Sequence, residues 1–142
     1  MHVVGEVTPA EAWNILKQDP KAQLVDVRTA AEWAFVGVPD LTKLGRSVVT
    51  VEWSSYPSMA RNGQFEAAVA VALKAQGAGA DTPIVFLCRS GARSLAAAKA
   101  MMAAGYHRCF NLTGGFEGDL DSDRHRGRHS GWKHAGLPWI QS

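Results

Sequence analysis

The segment Leu87-Cys88-Arg89-Ser90-Gly91-Ala92-Arg93-Ser94 holds the residues best suited to chemistry. Cys88 follows a continuous apolar run, Pro83-Ile84-Val85-Phe86-Leu87, that reads as a strand buried on both faces. A helix is expected a few residues later, from Leu95 to Ala104. In open α/β sheets, ligands bind at the carboxyl ends of strands. A loop between such a strand and helix, with Gly91 free to take unusual dihedrals, turns successive backbone N–H groups toward one point. That makes an anion cradle, reinforced by the positive end of the helix. A thiol at its rim loses its proton more easily, because the thiolate is the anion being stabilised. Arg89 and Arg93 add formal positive charge. The chemistry that follows is attack of a thiolate on a sulfane sulfur, with the resulting persulfide anion resting in the same cradle. It calls for no metal and no organic cofactor. Most free cysteines are buried and structural. Packing, however, explains none of the two arginines, two serines and one glycine in the six positions after Cys88.

The elements that must position this loop are readable along the chain. Thr8-Pro9-Ala10-Glu11 is a helix start: Thr8 is the N-cap, Pro9 the first helical residue, and Glu11 completes a capping box. This helix carries Trp13, Ile15 and Leu16 and stops near Asp19-Pro20. A short strand ending in charge follows, Gln23-Leu24-Val25-Asp26-Val27-Arg28. Residues 29–33 suggest a short helix, broken by Gly37-Val38-Pro39, and residues 47–51 a second strand. A loop through Ser54, Ser55, Pro57 and Asn62-Gly63 leads to an Ala-rich helix over 64–76, closed by Gly77. Gly105 ends the helix after the cysteine loop, and residues 108–112 give a further strand before Gly114-Gly115. Strands alternating with helices predict an α/β fold, a mostly parallel sheet flanked by helices.

The chain has 142 residues, 46% hydrophobic and 20% charged, which suits one domain spanning 1–142. Residues 117–142 form a polar extension, and Trp132 and Trp139 within it suggest that it packs back on the domain. A net charge of +2 without a Lys/Arg run gives no reason to expect a nucleic-acid partner. No apolar stretch approaches the roughly 20 residues needed to cross a bilayer. The amino terminus, MHVVGEVTP, lacks the pattern of a signal peptide. With only Cys88 and Cys109, no disulfide framework is expected, and a cytoplasmic protein with a reactive thiol is the simpler reading.

Three ordered anchors resemble the single-domain rhodaneses, the thiosulfate sulfurtransferase family. Cys88-Arg89-Ser90-Gly91-Ala92-Arg93-Ser94 is similar to that family's active-site loop. Leu24-Val25-Asp26-Val27-Arg28 followed by Glu32-Trp33 resembles its earlier signature, a strand ending in Asp-x-Arg before a short helix with Glu and an aromatic. Asn111-Leu112-Thr113-Gly114-Gly115-Phe116 is similar to its segment near the end of the domain. The resemblance implies a rhodanese-like fold with a central five-stranded parallel sheet and Cys88 as the sulfur carrier. Thiosulfate or a persulfide is then the donor, and a thiol or cyanide the acceptor. The chain departs from the family where Val36-Gly37-Val38-Pro39-Asp40 replaces Gly-His-Ile-Pro-Gly, and where Asn62-Gly63 stands in place of Asn followed by Pro. Both changes reshape the loops around the pocket mouth, which bear on donor and acceptor.

Four residues separate Cys88 from Arg93, whereas the tyrosine phosphatase pattern has five; that pattern needs Arg at position 94, and Ser94 is there. The shorter loop suits a sulfur atom on Cys88 better than a phosphoryl group. The readings therefore rank as small-donor sulfurtransferase, protein-to-protein sulfur carrier, thiolate phosphatase or arsenate reductase, and non-catalytic interaction domain. Asp26 and Arg28 read as supporting residues, an ion pair or hydrogen-bond anchor under the loop. Cys109, in an apolar strand, reads as an inert buried thiol. His125, His129 and His134 sit among basic residues without metal-ligand spacing, so a solvated basic loop is expected, partly cancelled by Glu117, Asp119, Asp121 and Asp123. Trp53 and Tyr56 suit either the pocket mouth or the core.

Overall fold

The structure is a computed structural model that describes residues 3–55 and 57–141. In chain order its elements are β1 (Gly5–Val7), α1 (Pro9–Gln18), β2 (Gln23–Asp26), α2 (Ala30–Phe35), β3 (Val38–Pro39), a 3-10 turn (Thr42–Leu44), β4 (Val49–Thr50), β5 (Ser54–Ser55), β6 (Ala60–Arg61), α3 (Phe65–Ala75), β7 (Ile84–Leu87), α4 (Ala92–Ala103), β8 (Cys109–Leu112) and β9 (Trp139–Ile140). Five of these strands form the central sheet in the order β1-β8-β7-β2-β4, with every neighbouring pair parallel. The other four make two small antiparallel ribbons, β3 with β9 and β5 with β6.

The period of two along β7 divides the core into two layers. Ile84, Phe86 and Cys88 face a cluster built from the stripe Phe65, Val69 and Leu73 of α3 and the stripe Ala97, Ala98 and Met101 of α4. Val85 and Leu87 face the opposite cluster, where Ala12 and Leu16 of α1 meet Leu24, Leu112, Phe116 and Trp132. A strand with helices on both faces has no solvated side, so all four residues of β7 are apolar and buried. Register then assembles the site. Asp26 lies beside Leu87, and Phe86 beside Asn111, so the parallel strands deliver Val27-Arg28, Cys88 and Leu112-Thr113 to one end of the sheet.

The capping box at Thr8 forms as read: Glu11 N–H donates to Thr8, and Thr8 N–H to the Glu11 carboxylate. Several boundaries differ from those the sequence suggests. The helix after the cysteine begins at Ala92 rather than Leu95, because Gly91, at φ +124°, makes the turn into it immediately. The strand expected over 47–51 shortens to Val49–Thr50. Gly37-Val38-Pro39 does not merely break the preceding helix, since Val38–Pro39 pairs with Trp139–Ile140. The edge strand β1 is an addition, three residues long and paired with β8.

Candidate functional site

Cys88 leaves the end of β7 and is 2% exposed. Its Sγ accepts the Gly91 backbone N–H at 3.1 Å and lies 3.2 Å from the Ser94 hydroxyl. Only Arg89, Ser90 and Gly91 separate it from α4, so the sulfur sits at the amino end of a 12-residue helix, where unpaired N–H groups and the helix dipole favour negative charge. Ser94, buried in the first turn of α4, also contacts Asn111 Oδ1 at 2.5 Å.

The loop is held from behind by the chain that follows β8. Phe116 N–H donates to the Cys88 carbonyl at 2.7 Å, and the Arg89 carbonyl accepts from Glu117 and Gly118 N–H at 3.0 and 3.2 Å. Close contact of this kind requires glycine at 115. Its φ is +59°, and a Cβ there would strike the Cys88 carbonyl oxygen and stand 2.6 Å from the Arg89 carbonyl oxygen. Beneath lies Phe116, with the Arg28 guanidinium 4.2 Å from its ring centroid. Arg28 is fully buried and binds the Asp26 carboxylate with Nε, 3.0 Å from Oδ1 and 3.2 Å from Oδ2, and with Nη2, 2.7 Å from Oδ2. Its Nη2 also donates to the Gly37 carbonyl at 2.7 Å. Asp26 and Arg28 therefore form a paired anchor joining the end of β2, the turn before β3 and Phe116.

The two arginines of the loop behave differently. Arg93 turns to α2 and binds Glu32 through both oxygens at 2.7 and 3.0 Å. Burial alone would lower the basicity of Arg93, but the hydrogen bond and charge of Glu32 outweigh it, and the nearby Cys88 and Asp26 add to the net rise. Burial likewise pushes the Glu32 carboxyl up, and Arg93 with the Thr29 N–H brings it below the usual carboxylate range. Arg89 is exposed. Together Arg89, Arg93 and Glu32 form the polar wall of a cavity of about 390 Å³, and Ala31, Val36 and Met59 form its apolar wall. Cys88 does not line that cavity, although its loop neighbours Arg89 and Arg93 do. Ser90 is half-buried, and Ala92 is exposed as the first residue of α4.

Sequence reasoning missed three contributors: Glu32 as the partner of Arg93, Asn111 as the partner of Ser94, and Val36 with Met59 as apolar wall. Glu32 stands 61 positions from Arg93 and carries a local signal only for helix capping, which it also performs with Thr29. The other candidate residues lie elsewhere. Cys109 is buried, its Sγ donates to the Tyr106 carbonyl, and burial pushes its thiol up to about 12. It pairs with Ile84, four residues before Cys88, or roughly 13 Å along the strand, too far for a disulfide between the two. His125, His129 and His134 are exposed, and Arg128 faces Asp121 and Asp123 across 3.8 and 3.9 Å. Among the described residues, no group of three or more His, Cys, Asp or Glu side chains converges as metal ligands would. Trp53 packs edge-on against Phe65, with Arg61 over its ring, while Tyr56 lies outside the described residues. No helix among the described residues is long and apolar enough to cross a membrane.

Comparison with known proteins gives a consistent picture. The family model described as the rhodanese-like domain matches residues 8–121. The crystal structure of Rv0390 from M. tuberculosis superposes with a TM-score of 0.88 at 46% identity, covering 99% of each chain. The uncharacterized protein RP600 of Rickettsia prowazekii is 35% identical over 137 residues, 96% of this chain and 98% of that protein. A protein of Allochromatium vinosum named sulfurtransferase is 30% identical over 113 residues, 80% of this chain and 85% of that protein.

Proposed function

Because the chain belongs to the rhodanese-like family, we propose that it is a sulfurtransferase whose carrier is Cys88. One observation carries this reading. The Cys88 sulfur rests at the amino end of α4 against the Gly91 N–H, beside the Ser94 hydroxyl, in a residue only 2% exposed. A phosphoryl group, with three equatorial oxygens to be held, needs a wider cradle than four residues between Cys88 and Arg93 supply.

The steps balance without any cofactor. The Cys88 thiolate attacks the outer sulfur of thiosulfate; an S–S bond forms, and the bond to the sulfonate sulfur breaks. Sulfite leaves with the electron pair, and the terminal sulfur of the new persulfide carries the negative charge. The Gly91 N–H already bonded to Cys88 Sγ and the dipole of α4 favour negative charge at this end of the helix. A thiolate or cyanide acceptor then attacks the terminal sulfur, giving an acceptor persulfide or thiocyanate and returning the Cys88 thiolate. A persulfide donor serves the first step equally, with a thiolate as leaving group. Arg89, exposed on the cavity wall, draws the anionic donor to the loop. Arg93 positions rather than neutralises, since Glu32 already answers its charge. A cytoplasmic setting, where thiols stay reduced, suits the two free cysteines.

A protein acceptor is the second reading, favoured by the exposed apolar residues at the cavity. Met59, on its wall, is 46% exposed, and Phe35, next to Val36 of the wall, is 80% exposed. The test common to both readings is the intact mass after incubation with thiosulfate, beside Cys88→Ser. The expected result is a gain of one sulfur atom in the wild type alone, removed by cyanide or a reducing thiol. No gain from thiosulfate, polysulfide or glutathione persulfide sinks the small-donor reading. Loading with poor turnover to small acceptors favours the relay.

A further inference from the structure

The Ser94 hydroxyl has one hydrogen and three acceptors in reach: Cys88 Sγ at 3.2 Å, the Gly91 carbonyl at 3.2 Å and Asn111 Oδ1 at 2.5 Å. The Asn111 amide is not free to turn and relieve this competition. Its Nδ2 donates one hydrogen to the Gly91 carbonyl and the other to the Glu6 carboxylate, each at 3.1 Å. A flip would set its carbonyl oxygen against both of those acceptors. The shortest contact, to an oxygen that can only accept, therefore takes the Ser94 hydrogen. Ser94 Oγ then presents a lone pair to the sulfur. A neutral thiol fits this arrangement by donating S–H to Oγ. A thiolate or persulfide does not, and keeps only the Gly91 N–H.

We propose that Asn111 is a positioning residue of the sulfur site, acting through Ser94: it withholds the Ser94 hydrogen from Cys88, and an anionic sulfur recovers that bond only when the hydroxyl turns away from Asn111. The consequence is kinetic. Sulfur anions with fewer hydrogen bonds are more basic and more nucleophilic, with reactivity rising by roughly the 0.4–0.5 power of basicity. Asn111 thus leaves the sulfur anion one hydrogen bond short, and so more nucleophilic. The other charges around the sulfur are Arg93 of α4, Glu32 of α2 paired with it, Asp26 at the end of β2 with Arg28 paired to it, Arg89 in the loop, and Glu6 of β1 beyond Asn111. The substitutions below change none of these charges, so differences between variants report on the Ser94 hydrogen.

The measurement is the rate of Cys88 alkylation by iodoacetamide against pH, located by peptide mass, in Asn111→Ala and Asn111→Leu, each with and without Ser94→Ala. With Ser94 present, either substitution is expected to lower the pH of half-maximal rate by about one unit, the scale of one hydrogen bond to a charged group. The plateau rate is expected to fall roughly threefold. With Ser94→Ala, the substitution at 111 has no further effect. A half-maximal pH that stays put or rises, or that shifts equally without Ser94, overturns the proposal. Asn111→Leu fills the buried volume if the alanine variant fails to fold. The inference takes Cys88 as the reacting group proposed above, but alkylation needs no sulfur transfer. A protein that alkylates as expected yet never takes up sulfur sinks the transferase reading alone.

Discussion

Glu32 does two jobs at once. Its carboxylate closes the capping box of α2 with Thr29, and it holds both arms of Arg93. Glutamine can keep the first role but not the charge of the second, so Glu32→Gln isolates the ion pair. At pH 7 the loss is expected to be about 1–2 kcal/mol, between an exposed pair and a fully buried one. Glu32 titrates below its ordinary value of 4.5 in the folded chain. Its contribution is therefore complete above that ordinary value and disappears as pH falls through the lowered folded one. Urea midpoints of wild type and Glu32→Gln should differ at pH 7 and converge as pH falls through that lowered value; a gap independent of pH would mean that the charge contributes nothing. The pairing also marks what was legible at this scale. Cys88, Gly91 and Ser94 announced themselves because a strand, a glycine and a helix start follow one another within eight positions. Glu32 and Asn111 stood within family-like segments, but their pairing with Arg93 and Ser94 was not legible, because it is set by strand register and by helix docking across the sheet, which local spacing does not encode.

At the scale of elements, the decisive contact is between two loops. The turn after β8 runs against the turn after β7 so closely that Gly115 leaves no space for a side chain. Gly115→Ala therefore meets two costs: about 1–2 kcal/mol for a left-handed backbone, and displacement of the Cys88 and Arg89 carbonyls. Gly127, at φ +84° and with nothing within 4 Å of where a Cβ would stand, meets only the first. The expected outcome is that Gly127→Ala shifts the urea midpoint modestly and loads sulfur normally. Gly115→Ala loses more stability and loads sulfur slowly. Equal effects in the two variants would show that the contact with the cysteine loop does not matter. Glycine at 115 was visible as a turn; that it is a packing residue was not. The same holds for the sheet. Its long, apolar or capped elements (α1, α3, β7) were readable because hydrophobic period and caps agree. The edge strand β1 and the two-residue β3 and β9 carry no period to read, and exist because a neighbour offers unpaired backbone groups.

The whole molecule closes through its last 25 described residues, most of which lack regular structure. Trp132 is fully buried against Trp13 of α1, its ring N–H bonded to the Pro138 carbonyl at 2.7 Å and its backbone N–H to the Gly115 carbonyl at 2.8 Å. Lys133 caps the Val36 carbonyl and lies 3.9 Å from the Trp139 ring centroid. β9 pairs with β3 beside the cavity wall at Val36. Trp132 therefore ties α1 to the strap behind Cys88, and Lys133 with β9 ties the turn before β3 to the same segment. If so, the tail unfolds with the sheet and not before it. Trp132→Ala is expected to cost about 3–5 kcal/mol, as for a large aromatic removed from a core, and to lower the urea midpoint followed by far-ultraviolet circular dichroism. Trp132→Phe keeps the ring volume in part but loses the bond to Pro138, and should fall between. Sulfur loading at Cys88 should weaken in the same order, because the Gly115 strap depends on this residue. A dichroism midpoint that Trp132→Ala leaves in place would instead make the tail an appendage, over a domain that folds and holds its cysteine loop without it.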